Sequence, residues 1–441
     1  MLFRGSRRRA AIANPPWRAE ALIAVAVLAL GLVSLAWIYR RLLTEPPIRS
    51  DGVGYYLYLP ALLIHRDASF TALAKAKFDG AIPQWTGVTP WDREHYLDKY
   101  TLGTALLELP FFAAGALVAA LTGAPRDGFS PPFQYAVACA GLVYTALGVL
   151  LLGQTLRRWA TSKTVALTLL AMVFGTSVFH YATFDSVYSH AFSFFLACAL
   201  LAHVPAVLER RRWVDFAALG AIVGLAILVR PTNALLVAGA ALYRPPGAPR
   251  GWRWAFLRRH VGGVALAVTV ATAFAALQVA YWHAATGHFL LYSYRGEGFD
   301  VLHPHVLQVL FSVRKGLFFW SPVLLVAAAG CVALRRVNSG WALTVPVTLV
   351  AQAALVASWH WWWYGASFGH RAFVESVPLF ALAFAALLER VRGGWPRRVL
   401  TIVITAAVAW TFVLMIGYWR GSYSYDTAEW AEVARALIFR R

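Results

Sequence analysis

Charge is what this sequence has least of. Asp, Glu, Lys and Arg make up 14% of its 441 residues, against about 25% in a soluble domain. No polar stretch is long enough to build a separate soluble domain. Acids are scarcer than bases, 20 against 40. Cysteine is scarcer still. Cys139, Cys198 and Cys331 all fall inside apolar runs, so neither a disulfide framework nor a thiolate metal site is expected, and the three read as small core residues. There is no Walker phosphate loop, no GxGxxG, no HExxH and no CxxC pair. Nothing therefore points to a bound nucleotide or to a zincin-type metal site. No internal repeat and no low-complexity segment stands out.

Apolar length is what the sequence has in excess. Hydrophobic residues are 60% of the chain and the mean hydropathy is +0.59, the signature of an integral membrane protein. Stretches long enough to cross a bilayer recur along the whole chain. They fall near 19–39, 133–156, 163–179, 187–207, 214–229, 232–243, 261–282, 318–334, 341–358, 372–389 and 398–418. The expected fold is an all-α polytopic bundle of about eleven spans, forming a single transmembrane domain over residues 1–441. The first stretch is too long for the h-region of a cleaved signal and reads as a signal anchor. Arg4, Arg7, Arg8, Arg9 and Arg18 would hold its start in the cytoplasm.

The net charge of +20 is a topology signal, with no nucleic-acid partner implied. The loops "QTLRRWATSK", "LERRRW", "YRPPGAPRGWRWAFLRRH", "LRRVNSG" and "ERVRGGWPRR" are Arg-rich. They alternate with "HYATFDSVYSH", "RPTN" and "WHWWWYGASFGH", which are poor in cations. The positive-inside rule assigns the first set to the cytoplasm and the second to the outside. The alternation also settles residues 101–123, which are long enough to span. If they crossed, every later Arg cluster would face outward. They are read instead as a surface or re-entrant helix, with Glu108 inside it as support. Residues 40–132 then form one large external loop with two membrane-hugging helices, about 53–66 and 101–121, around the polar middle "WDREHYLDKY". The tail, residues 420–441, is external and amphipathic. Asp426 and Glu429 would form a capping box, and Trp430, Val433, Ala434, Leu437 and Ile438 would share one face. Arginine-rich, alanine-rich usage points to a high-GC bacterium, and hence to its cytoplasmic (inner) membrane.

Polar residues with chemical potential gather at the outer face. Asp51 sits between Ser50 and Gly52, ahead of Tyr55, Tyr56 and Tyr58. It is either a solvated turn acid or a reactive carboxylate that glycine lets a ligand approach. Asp185 is the only acid of its short loop. It either caps the next helix or lines a cavity. His180 and His190 flank it and read as packed or interfacial histidines, with His190 kept as a possible substrate contact. Arg230, at the tip of "LVRPTN", either snorkels to the interface or clamps an anion such as a phosphate. In "SWHWWWYGASFGHR" the tryptophans, Trp363 among them, fit an interfacial belt, and Arg371 at a helix start calls for an anionic partner. Two histidines, His303 and His305, are too few for a metal site.

With these residues in place the chain resembles the GT-C superfamily of lipid-linked glycosyltransferases, in the bacterial protein-mannosyltransferase and aminoarabinose-transferase branch. The likeness covers most of the layout: a first span, a large external loop opening with an acid, membrane-parallel helices in it, and a second acid in the next external loop. Asp51 matches the first acid and Asp185 the second. "DKYTLGTALLELPFF" is similar to the Lys-Pro-Pro-Leu stretch that starts a surface helix, "LVRPTN" to the cationic hairpin after the fifth span, and "GASFGHR" to a segment of bacterial members. The chain departs from the pattern at Gly52, where many members have Glu, at Tyr100 and Thr101 after Lys99, and in having no soluble C-terminal domain.

The resemblance implies transfer of a sugar from a polyprenyl-phosphate donor to an acceptor hydroxyl on a glycan, lipid or protein, with inversion and with Asp51 as general base. Arg230, Arg371 or Lys99 would stabilise the departing phosphate. Asp185 would orient the acceptor or help to hold a divalent metal, Mg or Mn. Tyr55, Tyr56, His190, His370 and Trp363 are candidate substrate contacts. A transporter or flippase is the rival class. It should show internal repeats and broken helices near mid-membrane, whereas a non-catalytic scaffold should tolerate loss of Asp51. The topology has its own test. In an otherwise unlabelled chain, a cysteine introduced by Ser424→Cys is expected to react with an impermeant thiol reagent in intact cells. Labelling that appears only after permeabilisation would reverse the orientation.

Overall fold

The computed structural model describes residues 18–437. The arginines before Arg18 and Ile438 of the tail face lie outside the described residues. The chain opens with α1 (Arg18–Trp37), extended by a π-helical turn to Leu42. The loop after it carries α2 (Asp51–Pro60), α3 (Thr71–Lys77), strands β1 (Val88–Pro90) and β2 (Tyr96–Asp98), and α4 (Gly103–Thr122). The bundle continues through α5 (Pro131–Arg157), α6 (Ser162–Phe174), α7 (Val178–Thr183), α8 (Ser189–Arg210), α9 (Trp213–Val229), α10 (Ala234–Ala240), α11 (Trp252–Arg259) and α12 (Val261–Thr286). After a long connection come α13 (Val306–Phe311), α14 (Leu317–Trp320), α15 (Val323–Ala329), α16 (Cys331–Val337) and α17 (Thr344–Ala357). A 3₁₀ segment, Arg371–Ser376, leads into α18 (Val377–Arg390), followed by α19 (Gly394–Trp419) and α20 (Trp430–Leu437).

Side-chain pairs sort the loops between two ends. At one end Arg157 meets Glu20 at 3.2 Å, Arg158 pairs with Glu209, Thr161 N–H donates to Glu389 at 2.8 Å, and Arg244 N–H donates to Gly340 O at 3.2 Å. These contacts join the first, second and fifth Arg-rich loops and the third with the fourth, and Arg158, Glu209, Tyr243 and Arg335 border one cavity, so all five lie at one end. At the other end Ile48 N–H donates to Gln134 at 2.9 Å, Arg49 meets Asp185, Arg230 meets Glu375, and Arg371 meets Asp51. Seven described helices are long and apolar enough to cross a membrane, and α6, α9 and α17 are shorter apolar helices. This is a multi-pass membrane protein.

Length and hydropathy alone would let α4 cross too. Its contacts decide otherwise. Gly103 lies against the backbone of Leu228 and Val229, beside Arg230, and Leu102 N–H donates to Gln278. At its far end the chain turns through Gly128, against Pro60 and Ile64, to reach Pro131 at the start of α5. Both ends of α4 are therefore at the Asp51 end, and the expected non-crossing helix is what the fold contains. Glu108 marks no wet face, however. It is fully buried, and neither carboxyl oxygen has a partner among the described residues.

Other expectations need correction. The helix expected over 53–66 starts at Asp51, and residues 52–61 are buried. It packs against α4 and the loop that carries the strands, and Leu62, Leu63 and Ile64 at its end stay exposed. The expected span 232–243 contains only the short α10, and 318–334 is broken at Ser321 and Gly330. Gly330 packs so close to α18 that a Cβ would fall 2.0 Å from Ala383 O. In the tail the helix cap belongs to Glu429 and Glu432, whose carboxylate accepts from Glu429 N–H at 3.2 Å, in the geometry of a capping box. Asp426 turns to Arg314 instead, at 3.4 Å. Val433 is buried in the main core, so α20 rests on the bundle.

The centre of the bundle is α18, buried without a break from Ala372 to Ala386. A helix apolar all round belongs in a protein interior or a membrane, and its alanines let neighbours approach closely. The same device seats the loop of Asp185. A Cβ at Gly141 of α5 would fall 2.2 Å from Ser186 O. Gly141→Val is therefore expected to displace that loop and to destabilise the fold by about 1–3 kcal/mol, read as a lower melting temperature in detergent. An unchanged melting temperature would show that the loop is not seated on α5.

Candidate active site

Asp51 owes its place to three neighbours in sequence. Ser50 adopts φ 50° and ψ −137°, which turns the chain sharply and makes Asp51 the first residue of α2, where a carboxylate suits the helix dipole. Gly52 then passes Val187 and Tyr188, at 3.2 and 3.5 Å from where a Cβ would stand. Gly54 passes Thr86 O and the Tyr100 ring, at 2.3 and 2.7 Å. Any side chain at Gly54 would push α2 out of its slot.

Two ion pairs cross here. Asp51 Oδ2 accepts from the Arg371 guanidinium at 2.7 Å, and both side chains stay partly open, at 21% and 16% exposure. Two residues before Asp51, Arg49 reaches over to Asp185 Oδ1 at 2.9 Å and lies 4.6 Å above the Phe184 ring. The segments carrying the two acids are thus clamped together, and Tyr188 spans them with its ring 5.9 Å from the Arg371 guanidinium carbon. The second oxygen of Asp185 meets His180 Nε2 at 2.9 Å, while His180 Nδ1 accepts from the Trp419 indole N–H at 2.9 Å. That network assigns the proton to Nε2, so a neutral His180 donates to Asp185. Burial alone would raise the Asp185 carboxyl. The Arg49 charge and the His180 hydrogen bond outweigh it and hold the carboxyl below the usual carboxylate range.

A second tier lies deeper. Glu375 follows Arg371 by four residues of 3₁₀ segment, about 8 Å further into the bundle. Arg230 meets Glu375 at 3.4 Å and donates to Ser189 Oγ at 3.2 Å, with His190 Nε2 at 3.5 Å. Ser189 in turn donates to the Tyr55 hydroxyl at 3.0 Å. Tyr55 stacks on Tyr100 at 4.1 Å, and Lys99 reaches across the Tyr100 and Tyr294 rings to Glu297 at 3.1 Å. Asp51, Asp185, Arg230, Arg371, Tyr55, His190 and Lys99 are thereby brought to one end of the bundle.

Three expected contacts stand apart. Tyr56 points the other way, with its hydroxyl on Gly128 O and its ring among Phe112 and Phe129. Trp363 lies 3.8 Å under Arg314, which pairs with Asp426 of the tail. His370 is buried between the Tyr364 and Phe373 rings. Packing accounts for Tyr56 and Trp363, whereas both ring nitrogens of His370 are buried with no hydrogen-bond partner among the described residues. His180, expected only to pack, holds Asp185 instead.

Sequence reasoning passed over Arg49, Glu375, Glu297 and Trp419. Glu375 carried a signal, an acid one turn inside an apolar stretch. Lys315 is fully buried and donates to Ser367 O and Tyr425 O, tying the glycine loop to the tail. Residues 365–369, Gly-Ala-Ser-Phe-Gly, also match the GxSxG spacing of a nucleophile elbow. No strand precedes them, and Ser367 Oγ donates to Gly365 O and Gly369 O. Without the strand–turn–helix context the spacing carries no chemistry.

The donor set does not suit a divalent metal. One oxygen of Asp185 is taken by Arg49 and the other by His180, while Asp51 meets Arg371. The described residues hold no cluster of three or more His, Cys, Asp or Glu side chains.

Removing one partner of a buried ion pair typically costs about 3–5 kcal/mol. Arg49→Gln is expected to lower the melting temperature sharply, and Arg49→Gln with Asp185→Asn to recover part of the loss. Additive effects in that double-mutant cycle would mean that the clamp is not a unit.

No protein-family model matches this sequence, and no curated protein does either. Among solved structures, the ArnT of Cupriavidus metallidurans bound to undecaprenyl phosphate aligns with 90% of this chain at 16% identity and a TM-score of 0.53. The apo form of the same protein aligns with 88% at a TM-score of 0.48. This chain spans 64% of the length of that one. At that identity the likeness shows the fold alone, and the fold described here is similar to that of ArnT.

Proposed function

We propose that the protein transfers a sugar from a polyprenyl-phosphate donor to an acceptor hydroxyl at the outer face of a bacterial inner membrane, inverting the anomeric carbon. The supporting observation is the Asp51–Arg371 pair one tier above Arg230, in a GT-C-like fold. A lone carboxylate and two arginines in adjoining tiers offer a base and an anion clamp within one recess. The prenyl tail would stay in lipid, which accords with a chain that carries no Walker or GxGxxG motif.

In this reading Arg371 changes partner. Before the donor binds it is neutralised by Asp51. The donor phosphodiester, a single anion like the Asp51 carboxylate, competes for the guanidinium and leaves Asp51 free as base, and it gains a second negative charge as the anomeric carbon–oxygen bond breaks. Asp51 then takes the acceptor hydroxyl proton as that oxygen bonds to the anomeric carbon. The anomeric carbon–oxygen bond to phosphate breaks, and polyprenyl phosphate leaves with its charge held by Arg371 and Arg230. Glu375 limits the charge that Arg230 presents to the empty recess. Asp185, fixed on both oxygens, orients the acceptor through its remaining lone pairs.

Loss of a general base typically costs about 10²–10⁴-fold. Asp51→Asn should lose activity by that factor while remaining folded, and Asp185→Asn should lose less. Arg230→Ala and Arg371→Ala should weaken donor binding by the roughly 1.5–3 kcal/mol of a charged hydrogen bond, and acceptor binding less. The lipid-linked sugars and surface glycans of a deletion strain supply the assay. An active Asp51→Asn, or full donor affinity in both arginine variants, would defeat the reading. Activity is expected to survive EDTA. Loss that Mg or Mn restores would return Asp185 to a metal-binding role.

A further inference from the structure

At the end of the bundle opposite Asp51, the ends of α5, α8 and α16, with the segments that follow α10 and precede α17, border an open cavity of about 330 Å³. That is near the lower limit of small-ligand sites, about 300–1,000 Å³. Arg158, Arg335, Arg336 and Glu209 are its charged lining. Three cations against one anion leave two positive charges. Arg158 is paired with Glu209. Arg335 and Arg336 have no ion-pair partner among the described residues.

The positive-inside rule explains arginines at this end of the bundle, and helix C-termini favour them. Neither explains why guanidinium groups from two separate helix ends border one hollow. The hollow has further features of a binding site. Trp159 lines it, and its indole N–H is buried with no acceptor among the described residues. Buried Trp341, with Tyr243 tilted against it and the ring centroids 4.4 Å apart, forms an aromatic wall, of the kind found where headgroups meet acyl chains. Val332, one turn before Arg336 on the same face of α16, is 78% exposed, and Leu343 beyond the loop is 58% exposed. An apolar strip runs from the cations towards the lipid.

We infer that this cavity binds the phosphodiester headgroup of an anionic phospholipid, with the acyl chains along the Val332 and Leu343 surface. The site is separate from the proposed transfer reaction and stands whether or not that reaction is correct. Basic pockets between helices at an inner membrane surface suit such headgroups. Both charge and amphiphilic layout point to a lipid over a soluble anion.

The test uses the purified full chain in an uncharged detergent, with native mass spectrometry reading bound lipid. Phosphatidylglycerol is expected to bind about tenfold more tightly than phosphatidylcholine of the same acyl chains, a difference of about 1.4 kcal/mol. Arg335→Gln with Arg336→Gln should abolish that preference, and Arg335→Lys with Arg336→Lys should keep part of it, guarding against misfolding. Arg258→Gln with Arg259→Gln, on basic α11 outside the cavity, should keep all of it. Equal binding of the two lipids, or a preference that survives the glutamine pair, would overturn the proposal. So would full displacement of phosphatidylglycerol by inorganic phosphate, which would make the cavity a soluble-anion site.

Discussion

Arg49 holds Asp185, and the site's geometry follows from that contact. The pair is nearly buried, at 14% and 5% exposure, with its atoms 2.9 Å apart. It ties the loop after the first span to the loop between α7 and α8. Because Arg49 and Asp51 are two residues apart, fixing one fixes the other. Arg371 then closes the figure from a third segment by meeting Asp51. Charges this far from bulk water are costly alone, and each is tolerated because a partner of opposite sign arrives from a distant part of the chain.

Close backbone approach is the second constraint. Gly52 and Gly54 let α2 slide between Tyr188 and Tyr100, Gly103 seats α4 on the end of α9, and Gly141 seats the Asp185 loop on α5. In a lipid environment apolar burial does little to drive helix association, so packing at small residues takes over that role. The polar groups around Asp51 keep their places because the elements that carry them pack backbone against backbone.

Cations serve different tasks at the two ends. Around Asp51 most are matched by single acids: Arg49 by Asp185, Arg371 by Asp51, Arg230 by Glu375 and Lys99 by Glu297. At the opposite end arginine outnumbers acid, with Arg158, Arg335 and Arg336 against Glu209 around one cavity. A matched pair can exchange its partner for an anionic ligand. An unmatched cation attracts whatever anion the surface supplies.

Much of this was legible in the sequence because it depends on local composition. Apolar run length marked the spans, and the alternation of Arg-rich with Arg-poor loops separated the two ends, including the judgement that α4 does not cross. Asp51, Asp185, Arg230 and Arg371 stood out as charges beside apolar stretches. The pairing could not be read. Arg49 and Asp185 are 136 positions apart, and Arg371 and Asp51 are 320 apart. No periodicity links such positions, and a charge carries no mark of its partner. For the same reason Tyr55 and Tyr56 look equivalent in sequence, yet a helix sends adjacent side chains about 100° apart, one towards Ser189 and the other towards Gly128. The sequence by itself determined a many-spanned helical chain with its reactive acids at one face. Tertiary structure decided which acid meets which arginine, because only the packed bundle fixes how far apart those groups stand.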